Sequence, residues 1–110
     1  SVDHTWVNEQ LRAGYITEEE AKRSKFKSVI TRSVGYEAEI HADTHTIPLR
    51  SGDVFLMCSD GLSNHFSRQE LERLFRYTFY SRLPDLLIDT ALSRGGEDNI
   101  TLIICYVAAA

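Results

Sequence analysis

The sequence predicts an α+β domain in which antiparallel strands are flanked by helices. Three observations point there. Two capping boxes, Thr17-Glu-Glu-Glu20 and Ser67-Arg-Gln-Glu70, each place a hydroxyl that satisfies an orphan helix amide and a Glu three residues later that reaches back to the cap. A turn signal, Arg50-Ser-Gly-Asp53, separates two runs of extended character. The segment Asn99–Val107 (NITLIICYV) is apolar at successive positions, the pattern of a central strand covered on both faces.

In chain order, Thr5 to Ala13 is expected as a short helix ending at Gly14, and the Thr17 box opens a second. Glu39 to Leu49 alternates imperfectly. With the turn at Arg50–Asp53 and the returning arm Val54–Ser59, it predicts an antiparallel hairpin. The Ser67 box precedes Leu71, Leu74, Phe75, Thr78 and Phe79, spaced as one apolar stripe of an amphipathic helix. Pro84 suits the first turn of another helix, which carries Leu87 and Ala91 on one face and stops at Gly95-Gly96. No internal repeat, low-complexity tract or Pro/Gly-rich linker divides the chain.

A chain of 110 residues is about one domain, and 43% hydrophobic with 25% charged residues is ordinary for a folded one. The net charge of −4, with basic residues scattered apart from Lys22-Arg23, Lys25 and Lys27, argues against a nucleic-acid partner. The apolar run from Ile100 to Ala110 is too short to span a bilayer, so no membrane role is expected. Cys58 and Cys105 fall inside predicted strands, where they are expected as buried small hydrophobes in a reducing, cytoplasmic setting. The chain opens on Ser1, without a signal-peptide pattern, and reads as a piece of something longer.

The chemistry concentrates at two strand ends. Val54–Ser59 runs into Asp60-Gly61, and Asn99–Val107 starts just after Gly95-Gly-Glu-Asp98. If the two strands are antiparallel neighbours, Asp60 and Asp98 face each other at one sheet edge. Paired carboxylates at the mouth of a core repel and resist ionisation unless a cation holds them, and Asp oxygens without His or Cys suit a hard ion such as Mg²⁺ or Mn²⁺. Each motif taken singly is also an ordinary turn, and their joint placement favours the metal. His41 and His45 with Asp43 suggest zinc at first sight, but strand residues four apart are separated by roughly 13 Å, and they read as an exposed face. His65 is read as a solvated loop residue, and the sequon Asn99-Ile-Thr101 as incidental.

Four stretches in order resemble the bacterial branch of the PP2C (PPM) family of metal-dependent protein serine/threonine phosphatases. Asp3-His-Thr5 through Gly14-Tyr-Ile-Thr-Glu-Glu-Glu-Ala21 is similar to "DHS...GxITxEEA", Ile30-Thr-Arg-Ser-Val-Gly35 to "ITRAxG", Cys58-Ser-Asp-Gly-Leu62 to "CSDGL", and Gly95-Gly-Glu-Asp-Asn-Ile-Thr101 to "GGxDNIT". The resemblance covers nearly the whole chain. It implies part of a four-layer α/β/β/α sandwich of antiparallel sheets flanked by helices, with residues 1–110 its C-terminal portion: 1–36 a helical, flap-like segment, and 37–110 the sheet, helices and metal-ligand motifs. Asp60 and Asp98 would then be ligands of a two-metal Mn²⁺ or Mg²⁺ centre, with no residue of this chain acting covalently. The implied reaction is attack of a metal-activated water on phosphoserine or phosphothreonine of protein substrates. Arg32 is either a flap contact to substrate or a surface Arg in a salt bridge.

The departures also carry expectations. The family's N-terminal acidic ligands, its "DGxGG" segment and its phosphate-binding Arg have no match here, and "HPxxN" is replaced by Ser24-Lys-Phe-Lys-Ser28. The centre is expected to be completed by residues absent from this chain. The 110 residues alone are expected to be inactive, and to pair with the missing N-terminal half or to self-associate. The alternative function is a non-catalytic PP2C-like binding or regulatory module.

Overall fold

Thr5 begins the first helix, α1 (Trp6–Arg12): its hydroxyl accepts from the Asn8 amide at 3.1 Å, and Gly14, at φ 80°, follows the end. The computed structural model describes residues 1–109 and divides into two units, Ser1–Thr46 and the residues from Ile47 onward. Residues 37–46 belong to the first. Within it, α2 (Glu18–Arg23) carries the full Thr17/Glu20 capping box. A single antiparallel bridge, Thr5 to Ile30, is flanked by bonds from the Trp6 amide to the Val29 carbonyl (2.9 Å) and from the Thr31 amide to the His4 carbonyl (2.8 Å). Val7 is buried, and Trp6 meets Phe26 edge to face at 5.4 Å.

The second unit is built on two antiparallel strands, β1 (Val54–Cys58) and β2 (Leu102–Tyr106), in the register Val54 to Tyr106 through Cys58 to Leu102. Side chains alternate across the pair, so Val54, Leu56, Leu102 and Ile104 turn to one face. There they meet α3 (Asp60–Ser63), α4 (Arg68–Tyr77) and α5 (Leu83–Ser93). Leu62, Leu83, Leu87 and Ala91 are fully buried at the centre, and each Leu stabilises by about 1.5–3 kcal/mol. The Ser67/Glu70 capping box forms as expected, and Pro84 sits in the first turn of α5. The mixed helix and antiparallel strand content is the α+β class expected.

Three expectations give way. Glu39–Leu49 is not a strand. The Arg50–Asp53 turn forms, with Gly52 at φ 90° and a 3.0 Å bond from the Asp53 amide to the Arg50 carbonyl, but β1 pairs with β2 rather than with the preceding segment. A strand needs a ladder partner, and Pro48 has no amide to donate to one. The apolar stripe of α4 ends early: Thr78 turns extended, and Phe79 leaves the helix to pack on Tyr80, with centroids 4.6 Å apart. Finally, Asn99–Val107 is covered on one face only. Met57 and Ile103, opposite each other, are 52% and 58% exposed, and Cys105 on their face is exposed rather than buried; Cys58, opposite Leu102 on the helix-covered face, ends its strand and is exposed as well. Helices cover only the other face of this two-stranded sheet.

Candidate metal centre

The expected strand pairing does bring the two carboxylate motifs to one sheet edge. Beyond the last paired residues, Cys58 and Leu102, the Ser59 amide donates to the Thr101 carbonyl at 3.0 Å. The Ser59 hydroxyl donates to the Asn99 carbonyl (3.2 Å) and accepts from the Thr101 amide (3.1 Å), strapping the chain before Asp60 to the chain after Asp98. Gly61 is buried where the two segments touch. A Cβ there would lie 2.2 Å from the Asn99 carbonyl oxygen and 3.4 Å from Cβ of Asp98, so only a glycine permits this approach. Leu62, next in sequence and fully buried, anchors the short helix that starts at Asp60.

Asp98 is delivered by the loop leaving α5. The Gly95 amide donates to the Leu92 carbonyl and the Gly96 amide to the Ala91 carbonyl, both at 3.2 Å, a Schellman closure made possible by positive φ at both glycines (132° and 55°). One Asp98 oxygen accepts from the Asn99 amide at 2.7 Å. Among the described residues no group of three or more His, Cys, Asp or Glu is placed to hold a metal ion. Two carboxylates stand on the segments joined at this edge, and oxygen donors of this kind suit a hard divalent ion.

Arg94, which caps the C-terminal end of α5, escaped the sequence reading. Its guanidinium donates to the His65 carbonyl at 2.6 Å and to both Glu70 oxygens at 2.7 and 3.1 Å, and lies 5.2 Å from the Phe66 ring centroid. The Arg94 hydrogen bonds, with help from the Ser67 amide, hold the Glu70 carboxyl down at about 2, and Glu70 in turn raises Arg94. A basic residue just before Gly-Gly at a helix end was the available signal. His65 is half-buried and enters this cluster through its carbonyl.

Arg32 lies in the first unit, where its Nη1 donates to the His41 carbonyl (2.9 Å) and approaches Asp43 (3.4 Å). Asp43 also meets His4 Nε2 at 2.6 Å, and that bond, more than Arg32, holds its carboxyl below the usual range. His41 and His45 do not gather with Asp43 as a metal site. Desolvation pushes the Cys58 thiol up from its ordinary value, which lowers its thiolate fraction.

Residues 8–108 match the family described as Stage II sporulation protein E (SpoIIE). The chain is 38% identical over 103 residues to the serine/threonine phosphatase stp of Listeria monocytogenes, covering 93% of this chain and 41% of that protein. It is 40% identical over 107 residues to protein phosphatase PhpP of Streptococcus pneumoniae, covering 93% and 42%. Its structure is similar to the serine/threonine phosphatase of S. agalactiae (TM-score 0.88, 36% identity, 97% of this chain and 45% of that one). It is also similar to PstP/Ppp of Mycobacterium tuberculosis (TM-score 0.86, 30% identity, 99% and 46%). The chain thus spans less than half the length of the relatives it matches.

Proposed function

The chain belongs to the Stage II sporulation protein E (SpoIIE) family, of PP2C type and fold, and from that membership we propose that it contributes two ligands to the active site of a metal-dependent protein serine/threonine phosphatase. One observation carries the reading: Ser59 and Gly61 lock the segments bearing Asp60 and Asp98 against each other at one sheet edge. Asp60 and Asp98 would hold Mn²⁺ or Mg²⁺ together with residues outside this chain. An ion held there would supply Lewis acidity, lowering the pKa of a coordinated water that could attack phosphorus and offsetting charge on the phosphoryl oxygens. The chain's own part is positional, since the Ser59 strap and the close approach at Gly61 hold together the segments that carry both carboxylates. In this reading the substrates are phosphoserine and phosphothreonine proteins in the cytoplasm, the 110 residues alone are inactive, and Arg32 contacts the protein around the phosphate.

In the full-length protein, Asp60→Asn or Asp98→Asn should lower phosphopeptide hydrolysis in Mn²⁺ by about two orders of magnitude or more, with the fold retained, because each change removes an anionic ligand with little change of shape. Single-turnover phosphate release beside phosphopeptide binding decides the matter. Wild-type protein that binds metal and phosphopeptide yet releases no phosphate would instead be a binding module.

A further inference from the structure

We infer that Arg94 is a positioning residue for the Asp60/Asp98 pair, acting as a cross-brace between the two chain segments that carry them; this rests on the phosphatase reading above. The segment holding Asp60 continues through α3 to His65, Phe66 and the capping box that opens α4. The segment holding Asp98 begins at Arg94, the last residue before the two glycines. One guanidinium ties them: it bonds the His65 carbonyl, grips Glu70 with both nitrogens and covers the Phe66 ring.

The site end of the same two segments is fixed by the Ser59 hydroxyl and the Gly61 approach. The pair is therefore held at two points, with the Gly95-Gly96 loop and the short helix α3 between them. Gly95 and Gly96 are the most permissive part of this frame, and without an anchor at Arg94 nothing in their own backbone preference fixes where Asp98 is delivered. A forked cation suits this task because two parallel bonds to Glu70 fix orientation as well as distance, which the ammonium of Lys cannot do. Glu70 is doubly committed, since it also accepts from the Ser67 amide at 2.9 Å, so the brace inherits the rigidity of the α4 N-terminus.

Metal binding by the full-length protein, titrated calorimetrically with Mn²⁺, tests this alongside urea stability measured in chelator. Arg94→Ala should raise the Mn²⁺ Kd by about tenfold, the scale seen when groups that orient metal ligands are lost, while turnover at saturating Mn²⁺ stays close to wild type. Arg94→Lys should fall between. Arg68→Ala, which breaks the solvent-exposed Arg68–Glu72 pair on α4, should keep wild-type Mn²⁺ affinity. If Arg94→Ala does not fold, Glu70→Gln takes its place, since it preserves shape while removing the charged grip. Lower urea stability with an unchanged Mn²⁺ Kd would overturn the positioning role and leave Arg94 an ordinary fold contact. Wild-type protein that binds no Mn²⁺ at all would overturn the phosphatase reading itself, a separate result.

Discussion

Gly61 marks the tightest point of the candidate centre. A methyl group there would lie 2.2 Å from the Asn99 carbonyl oxygen, which is backbone and cannot swing away, so Gly61→Ala must push the two segments apart. The expected cost is about 1–3 kcal/mol, typical of overpacking, read as a lower urea midpoint of the full-length protein together with weaker Mn²⁺ binding. A wild-type midpoint would contradict the geometry. At this scale the sequence was informative where chemistry sits in short strings: Asp60 and Asp98 stood out because each ends or begins an apolar run. The part played by Gly61, the strap from Ser59 and the reach of Arg94 were not legible, because each depends on a residue about 25 to 40 positions away that only the fold brings near. The cysteines differ from expectation for two reasons: Cys105 lies on the sheet face that no helix covers, while Cys58 lies on the covered face but at the end of its strand, and alternation alone reports neither.

Helix starts and glycine stops are legible because their signals are local: both capping boxes and the glycine stops occur where their residues predict, whereas the end of α4, which has no such signal, comes earlier than its apolar stripe. The missing strand at Glu39–Leu49 shows the converse, since a ladder needs a partner that alternation alone does not name. Between α4 and α5 the Glu70–Arg94 pair makes stability depend on acid. Glu70 titrates at about 2 in the fold against an ordinary 4.5, so its ionised form is favoured by folding. That contribution is complete above pH 4.5 and is lost as pH falls toward 2. Thermal midpoints across this window should drop more steeply for wild type than for Glu70→Gln, and salt should shrink the difference because both side chains are about two-fifths exposed. Parallel curves would show that the pair adds nothing to stability.

For the molecule as a whole, the sheet face bearing the Met57–Ile103 and Phe55–Cys105 pairs is the feature that sequence and structure describe differently. The sequence shows a strand apolar on both sides, and the chain itself covers one. Light scattering of the isolated 110 residues should therefore report dimers or larger species, and Met57→Lys with Ile103→Lys should return them toward monomer. A monomeric wild type with a cooperative thermal transition would show that the open face is tolerated. The register of this sheet also fixes an order of events. Val54 pairs with Tyr106 across α3, α4 and α5, which close through near-neighbour contacts, so the ladder carries a much larger loop-closure entropy than any of these helices. Helices can form early in refolding while Asp60 and Asp98 are still far apart. The segments that carry them come together only when the ladder zips, so a divalent-ion site built on Asp60 and Asp98 would be a late-acquired property, a timer for completed folding rather than a nucleus for it.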